Sequence, residues 1–181
     1  MIVGDPSRSG ADLAVALVNT WDTYDDPPEH LADVEALARF LRRVGREEAA
    51  RVATERDLAE VRRLRERLRV VFVAEDVRAA AAALNALAEE TAAVPRLVPA
   101  GGGWRLAFGP GERSVAAHLG ATAAAALLEI VRAHGVARFG TCSAAPCTGA
   151  FVDRTKNRSK RYCCELCADR AAQKRLRARR R

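Results

Sequence analysis

The sequence predicts a mainly α-helical protein: a helical N-terminal domain with a small β-hairpin, then a treble-clef-like zinc finger with a basic C-terminal helix. Hydrophobic residues make up 49% of the 181 residues but aromatic residues only 5%, which disfavours all-β folds. Apolar residues recur at helical spacing through much of the chain. All five cysteines lie between residues 142 and 167. We therefore expect one domain over residues 1–137 and a second over residues 138–181.

The apolar spacing predicts five helices in the first domain. Four cover residues 11–20, 31–44, 54–74 and 76–90, and the fifth runs from an N-cap at Ser114 to about His134. Gly45 and Gly135 stand where the second and fifth helices should end. The fifth helix is apolar on nearly all sides, so we expect it to be the most buried. Alternating residues around three consecutive glycines predict a β-hairpin over residues 96–108.

Two features argue against a membrane or secreted protein. The longest stretch without a charged side chain covers only residues 114–128, whereas a membrane-spanning helix needs ~20 strongly apolar residues. The first ten residues include Asp5 and Arg8 and have no apolar core, unlike a secretory signal. We expect a cytoplasmic protein that has no membrane partner.

The net charge of +7 is unevenly distributed along the chain. Residues 1–151 hold 18 basic and 20 acidic side chains, a net charge of −2. Residues 152–181 hold 12 basic and 3 acidic side chains, a net charge of +9. A basic block of this kind attracts polyanions, and salt screens the attraction.

Four of the cysteines have the spacing of a zinc site. Cys142 and Cys147 form one pair, and after fifteen residues Cys163 and Cys167 form another. Such short spacings let one turn supply two thiolates to a tetrahedral ion. An odd number of cysteines without a secretion signal argues against disulfides. We predict one structural Zn²⁺ with all four positions filled by cysteine, which leaves no open position for catalysis.

The segment between the two cysteine pairs predicts the rest of the finger. Residues 151–152 and 161–162 are expected to pair as short strands across a polar turn, and the second cysteine pair should end in the first turn of a helix. By spacing alone, Cys164 could replace Cys163 as a ligand. As a spare thiol beside Lys160 and Arg161, Cys164 is either a bystander on the helix or a redox-sensitive group.

The basic residues near the C-terminus form a candidate nucleic-acid surface. Helical spacing places Arg170, Lys174, Arg177 and Arg181 on one face, with Arg175 beside it, and Lys156, Arg158, Lys160 and Arg161 lie on the preceding turn. A helix of this length fits a major groove. Few aromatic residues are interleaved, so duplex binding is favoured over base stacking with single strands. The alternative is a solvated, frayed tail.

No catalytic constellation is present in the sequence, so we do not expect an enzyme. Its three histidines are far apart, and Gly101–Gly103 falls in the hairpin rather than between a strand and a helix. One segment is a candidate ligand pocket, because it places an amide, a hydroxyl, an indole and a carboxylate within one turn: Asn19, Thr20, Trp21 and Asp22. Helix capping and turn chemistry explain the same residues and are favoured.

The segment CSAAPCTGAFVDRTKNRSKRYCCELCADRAAQKRLRARR resembles the CGNR-type zinc finger, and the upstream domain, with LAVALVNTWD near its start, is similar to the ABATE domain that precedes such fingers. The resemblance implies that Cys163, which follows the aromatic Tyr162, is the third zinc ligand. The naming motif reads CADR here, so Ala168 and Asp169 replace Gly and Asn. Ala16 replaces an acidic residue of the N-terminal motif.

The resemblance also implies a function, because the family is described as stress-induced transcriptional regulators. We therefore expect a zinc-dependent protein that binds duplex DNA, with the N-terminal domain sensing a small molecule or protein partner, or forming a homodimer. The residues themselves indicate only a polyanionic partner. An RNA- or ribosome-associated factor, or a protein-interaction module, would use the same basic helix.

Overall fold

A computed structural model describes residues 10–100, 102–109 and 114–179. The helices of the described residues are α1 (Gly10–Val18), α2 (Val34–Arg43), α3 (Glu47–Arg51), α4 (Glu55–Phe72), α5 (Val77–Glu90), α6 (Val115–His134) and α7 (Glu165–Arg179), with a 3-10 turn at Gly135–Arg138. The strands are β1 (Pro95–Ala100), β2 (Gly103–Phe108), β3 (Phe139–Thr141) and β4 (Ala150–Val152). The mainly α-helical class predicted from the sequence is confirmed.

Side-chain caps set the first residues of the long helices. Asp33, Asp76 and Ser114 accept hydrogen bonds from backbone N–H groups three residues further on, and these bonds satisfy donors that have no partner within the helix. Thr54 and Asp57 form a reciprocal capping box at the start of α4. Sequence reasoning found the Ser114 cap and the five long helices, but not the short helix α3.

The core of the protein is the packing of α1, α4 and α5 around α6. Leu17, Leu68, Leu84 and Leu127, one from each of these helices, are completely buried. Gly120 allows the close approach of α6 to its neighbours, because a Cβ there would lie 2.6 Å from the Thr91 side chain. α6 is the central helix, because it contacts α1, α4 and α5. Its composition had led us to expect the most buried helix, but eight of its twenty residues are buried, against five of nine in α1, so its buried fraction is not the highest.

Residues 115–138 are long and apolar enough to cross a membrane by length and composition. A core helix has the same two properties. Here Leu119, Ala123, Leu127 and Val131 form a buried face against the other helices.

The hairpin of β1 and β2 is present, and its register pairs Leu97 with Leu106. The second predicted hairpin was wrong. Phe151 and Val152 of β4 pair with Gly140 and Phe139 of β3, not with Arg161 and Tyr162.

Packing decides this choice of partner strand. The ring of Phe139 makes an edge-to-face contact with Phe72 of α4, with the centroids 5.4 Å apart, which holds β3 on the helical core. Gly140 then provides room for Phe151, because a Cβ at Gly140 would lie 2.5 Å from that ring. Asp153 organises the chain beyond β4 as a loop, since its carboxylate accepts the backbone N–H groups of Thr155 and Lys160.

Candidate metal centre and nucleic-acid interface

The β3–β4 hairpin carries the first cysteine pair on the loop between its strands. The Cys142 N–H donates to the Gly149 carbonyl at 2.8 Å, and the Cys147 N–H donates to the Ala144 carbonyl at 2.9 Å. These bonds close a tight knuckle from residue 142 to residue 149. The knuckle brings both thiols to the same side of the loop, as a zinc site requires.

The second cysteine pair lies at the start of α7. Cys163 comes two residues before the helix and Cys167 lies within its first turn, as the sequence predicted. The N-terminal end of a helix stabilises negative charge, so this position favours a thiolate.

Four sulfur atoms meet between the knuckle and α7. The Sγ atoms of Cys142, Cys147, Cys163 and Cys167 all lie within 4.8 Å of one another. The Sγ of Cys163 is 3.7 Å from that of Cys147 and 3.6 Å from that of Cys167. A tetrahedral zinc with Zn–S bonds of ~2.3 Å separates its sulfur ligands by ~3.8 Å. The four cysteines therefore fit one structural zinc ion, and the predicted cofactor and its ligand set are confirmed.

Gly149 leaves the space that the sulfur cluster needs. A Cβ at this position would lie 2.9 Å from the Sγ of Cys163 and 3.2 Å from that of Cys147. The Gly149 N–H also donates to the Cys147 sulfur at 3.3 Å. Such a bond to a ligand sulfur orients the ligand and stabilises its thiolate form. Cys164 is not one of the four clustered cysteines: its side chain is exposed, and its Sγ lies 3.9 Å from that of Cys163.

Burial disfavours the thiolate form of three of the four cysteines, and a bound cation would offset this effect. Burial raises the pKa of Cys163 far above its ordinary range, and burial raises the pKa of Cys167 to about 12. Burial also raises the pKa of Cys142, but N–H donors from Cys163 and Ala144 outweigh it, and the net pKa is lowered. Metal binding supplies the free energy that removes the remaining protons.

The segment after α1 holds the knuckle against the helical domain. The Asn19 side chain donates to the Ala150 carbonyl at 2.9 Å and accepts the Ala150 N–H at 2.7 Å. The Thr23 hydroxyl donates to the Pro146 carbonyl, and the Tyr24 hydroxyl donates to that of Ala144 at 3.1 Å. We call this segment, residues 19–30, the anchor loop. Its contacts join the zinc knuckle to the N-terminal part of the chain.

The residues of the candidate ligand pocket lie within the anchor loop, with different partners. Asn19 binds the β4 backbone, and the hydroxyl of Thr20 donates to the Leu17 carbonyl. Asp22 accepts the backbone N–H of Tyr24, which is the predicted turn chemistry. Trp21 alone of the four lines a cavity of about 720 Å³, together with Arg69, Phe72, Val73 and Thr148 among others. Ligand binding in this cavity remains a prediction.

The candidate nucleic-acid residues occupy the second half of the finger. Lys156, Arg158, Lys160 and Arg161 are exposed on the loop between β4 and Cys163, and Arg170, Lys174, Arg175 and Arg177 are exposed on α7. Arg181 lies outside the described residues. The Lys160 ammonium lies 5.3 Å from the centre of the Phe151 ring.

Two of the basic side chains on α7 contact tyrosines, and one of these tyrosines, Tyr24, was not singled out by sequence reasoning. The Arg170 guanidinium stacks 4.1 Å above the Tyr24 ring, and the Arg175 guanidinium donates to the Tyr162 hydroxyl at 2.9 Å. The Tyr24 contact is long-range, and no local pattern in the sequence signals it. Binding of nucleic acid to these residues remains a prediction.

Comparisons with known proteins agree with this geometry. Residues 11–134 match the ABATE family, described as "putative stress-induced transcription regulator", and residues 138–180 match the CGNR zinc finger. No curated protein is similar enough to the chain to count as a relative. Because the first match alone covers more than half of the sequence, the chain belongs to the ABATE family and carries a CGNR zinc finger at its C-terminal end.

Proposed function

We propose that the protein is a zinc-dependent regulator of transcription that binds duplex DNA through α7 and the loop before it. The observation that carries the proposal is a set of exposed cationic side chains beside the zinc site that have no carboxylate partner among the described residues: Lys156, Arg158, Arg161, Lys174 and Arg177. Unpaired cations of this kind are available to phosphates.

The zinc site gives α7 a fixed starting point. The positively charged side chains of α7 repel one another at the i, i+4 spacing. A helix of only fifteen residues is also barely stable by itself in water. A polyanion would offset that repulsion, so binding and helix formation support each other. The family description, which names transcription regulation, favours DNA over other polyanions.

The first experiment measures the affinity of zinc-loaded protein for a random 20-base-pair duplex as a function of salt. If five phosphates are contacted, log K falls against log salt with a slope of about −4.5. Truncation after Cys167 keeps only the cations of the loop and should therefore weaken binding strongly and flatten the salt slope. The double substitution Arg51→Gln and Arg78→Gln, at exposed positions on α3 and α5, should leave binding unchanged. A slope near zero for the intact protein would contradict the proposal.

Two further measurements define the partner. Selection of bound fragments from genomic DNA identifies the preferred site, and competition with structured RNA at physiological salt separates DNA binding from an RNA- or ribosome-associated role. Preferential binding of the RNA would favour that second function.

The helical domain is the proposed sensor in this protein, which we take to be cytoplasmic and without catalytic activity. The cavity beside Trp21 supports a sensing role, because its lining runs from α4 to the zinc knuckle at Cys147 and Thr148. Trp21 is 37% exposed, so its fluorescence should change when an effector enters the cavity. The substitution Trp104→Phe removes the other tryptophan, and the signal then comes from Trp21 alone.

A further inference from the structure

A groove with several positive charges separates α7 from the zinc knuckle and the anchor loop. It has a volume of about 380 Å³, and one wall is the face of α7 that carries Arg170, Lys174 and Arg175. The opposite wall consists of Tyr24, knuckle residues 143–145, Arg161 and Tyr162. We call it the basic groove. Both domains of the chain therefore contribute to it.

The charges in this groove are positioned without being neutralised. Elsewhere arginines pair with carboxylates, as in Arg39–Glu35, Arg56–Glu60, Arg65–Glu29 and Arg132–Glu129. In the basic groove, the partner of Arg170 is the ring of Tyr24 and that of Arg175 is the hydroxyl of Tyr162. Both partners are neutral, and no lining residue is acidic. The tyrosines orient the guanidinium groups and leave their charge available to an anion.

The knuckle side of the groove is held in place by the anchor loop. The Tyr24 hydroxyl donates to the carbonyls of Ala144 and Ala145, so the ring that stacks on Arg170 is also bound to the zinc knuckle. Tyr24 thus holds Arg170 in a fixed position relative to the metal centre.

We propose that the basic groove is a phosphate-binding site that takes the backbone of a nucleic-acid strand, and that Tyr24 of the N-terminal domain is a positioning residue for Arg170 in it. The inference rests on the proposed function and deepens it: phosphates are bound on the groove side of α7, between the two domains. Arg161 and Lys174 supply the remaining charge. The shared ligand chemistry is the phosphate group, so a free polyphosphate would use the same side chains.

The test compares four variants of the full-length, zinc-loaded protein with the same 20-base-pair duplex. Arg170→Gln and Lys174→Gln should each reduce the salt slope by about 0.9, the value of one lost phosphate contact. Tyr24→Leu removes the ring under Arg170 and should weaken binding several-fold at 0.1 M salt. Tyr24→Phe keeps the ring but loses the hydroxyl bonds to the knuckle, so its affinity should lie between those of the wild type and Tyr24→Leu. A purely structural role for Tyr24 would instead change zinc content or unfolding temperature, which are measured for every variant. The control Arg78→Gln should retain the wild-type slope.

Two outcomes separate this inference from the proposed function. If Arg170→Gln and Lys174→Gln keep the wild-type slope while truncation after Cys167 strongly weakens binding, DNA lies on another face of α7. The groove proposal is then wrong and the proposed function stands. If the intact protein does not bind DNA, inorganic tripolyphosphate is the second probe. Binding of tripolyphosphate that the two glutamine variants weaken supports the groove without the DNA function, and no binding overturns both.

Discussion

At the scale of single residues, an ion pair between α4 and the anchor loop supports the site. The Arg65 side chain is 5% exposed, and its guanidinium binds both carboxylate oxygens of Glu29, at 2.6 and 2.8 Å. It also donates to the Thr20 hydroxyl and lies over the Trp21 ring. Because a buried guanidinium needs its full set of partners, this pair fixes the loop that carries Asn19 and Tyr24.

The pair predicts a pH-dependent contribution to stability. Burial raises the pKa of Glu29, but its bonds to Arg65 and the Leu31 N–H outweigh this effect, and the net pKa lies below the ordinary 4.5. A carboxyl with a lowered pKa stabilises the folded state above pH 4.5, and this stabilisation is lost as the pH falls through the folded-state pKa. At pH 7, Glu29→Gln should lower the free energy of unfolding by about 2 kcal/mol, because the largely buried Arg65 then keeps only Glu66 as a carboxylate partner among the described residues.

Urea unfolding with excess chelator, which keeps both proteins zinc-free, measures the difference between wild type and Glu29→Gln from pH 7 to pH 3. The difference should shrink below pH 4.5. Glu35→Gln is the matched control, since Glu35 pairs with Arg39 on the exposed face of α2 and should cost less than ~0.5 kcal/mol. A difference that does not change with pH would contradict the assignment.

At the scale of elements, the helix α7 depends on the zinc ion more than the other helices do. It contributes Cys167 and Ala171 to the small cluster around the sulfur atoms, while most of its other described side chains are exposed. So little apolar burial cannot offset the entropy of ordering fifteen residues. We therefore expect zinc binding to order this helix.

Two adjacent cysteines provide a matched test of that dependence. Cys163→Ser removes a ligand and should lose the bound zinc and the helical circular dichroism of α7, whereas Cys164→Ser should keep one zinc per chain and the wild-type spectrum. The physical reason is that Cys163 lies in the sulfur cluster and Cys164 is exposed. Zinc content by colorimetric chelation and the signal at 222 nm check both. Zinc loss from Cys164→Ser alone would reverse the ligand assignment.

At the scale of the whole molecule, the first half of the zinc finger is part of the helical core. Ala150 and Val152 of β4 belong to the same buried cluster as Leu17 and Leu68, and Phe139 packs against it. The Asn19 side chain adds two hydrogen bonds to the β4 backbone. Events at the metal should therefore change the stability of the helices, although the metal lies outside the core.

Removal of zinc should accordingly lower the main unfolding temperature by about 4–8 °C, equivalent to ~2 kcal/mol for a chain of this size. The reason is that, without zinc, β3 and β4 lose the ordered knuckle that joins them at one end. Differential scanning calorimetry with and without chelator measures this shift. The zinc-free Cys147→Ser variant is the control and should show no further shift on chelation. An unchanged main transition in the wild type would mean that residues 1–137 unfold independently of the finger.

The sequence by itself determined the features that depend on local pattern. Apolar periodicity and caps such as Ser114 located the long helices, because helix formation is governed by residues three and four positions apart. Cysteine spacing and the family resemblance identified all four zinc ligands, and the charge split located the basic finger. The same information was insufficient at Phe151, where strand pairing was assigned to the wrong partner.

Only the tertiary structure decided the contacts between residues far apart in the chain. The pairing of β4 with β3, the Glu29–Arg65 pair and the stack of Tyr24 on Arg170 join residues that are nine or more positions apart. Such contacts depend on the shape of the packed core, here the room at Gly140 and the surface of α4, and no local pattern encodes them. The tertiary structure therefore turns a helical domain and a zinc finger into one molecule with a basic groove between them.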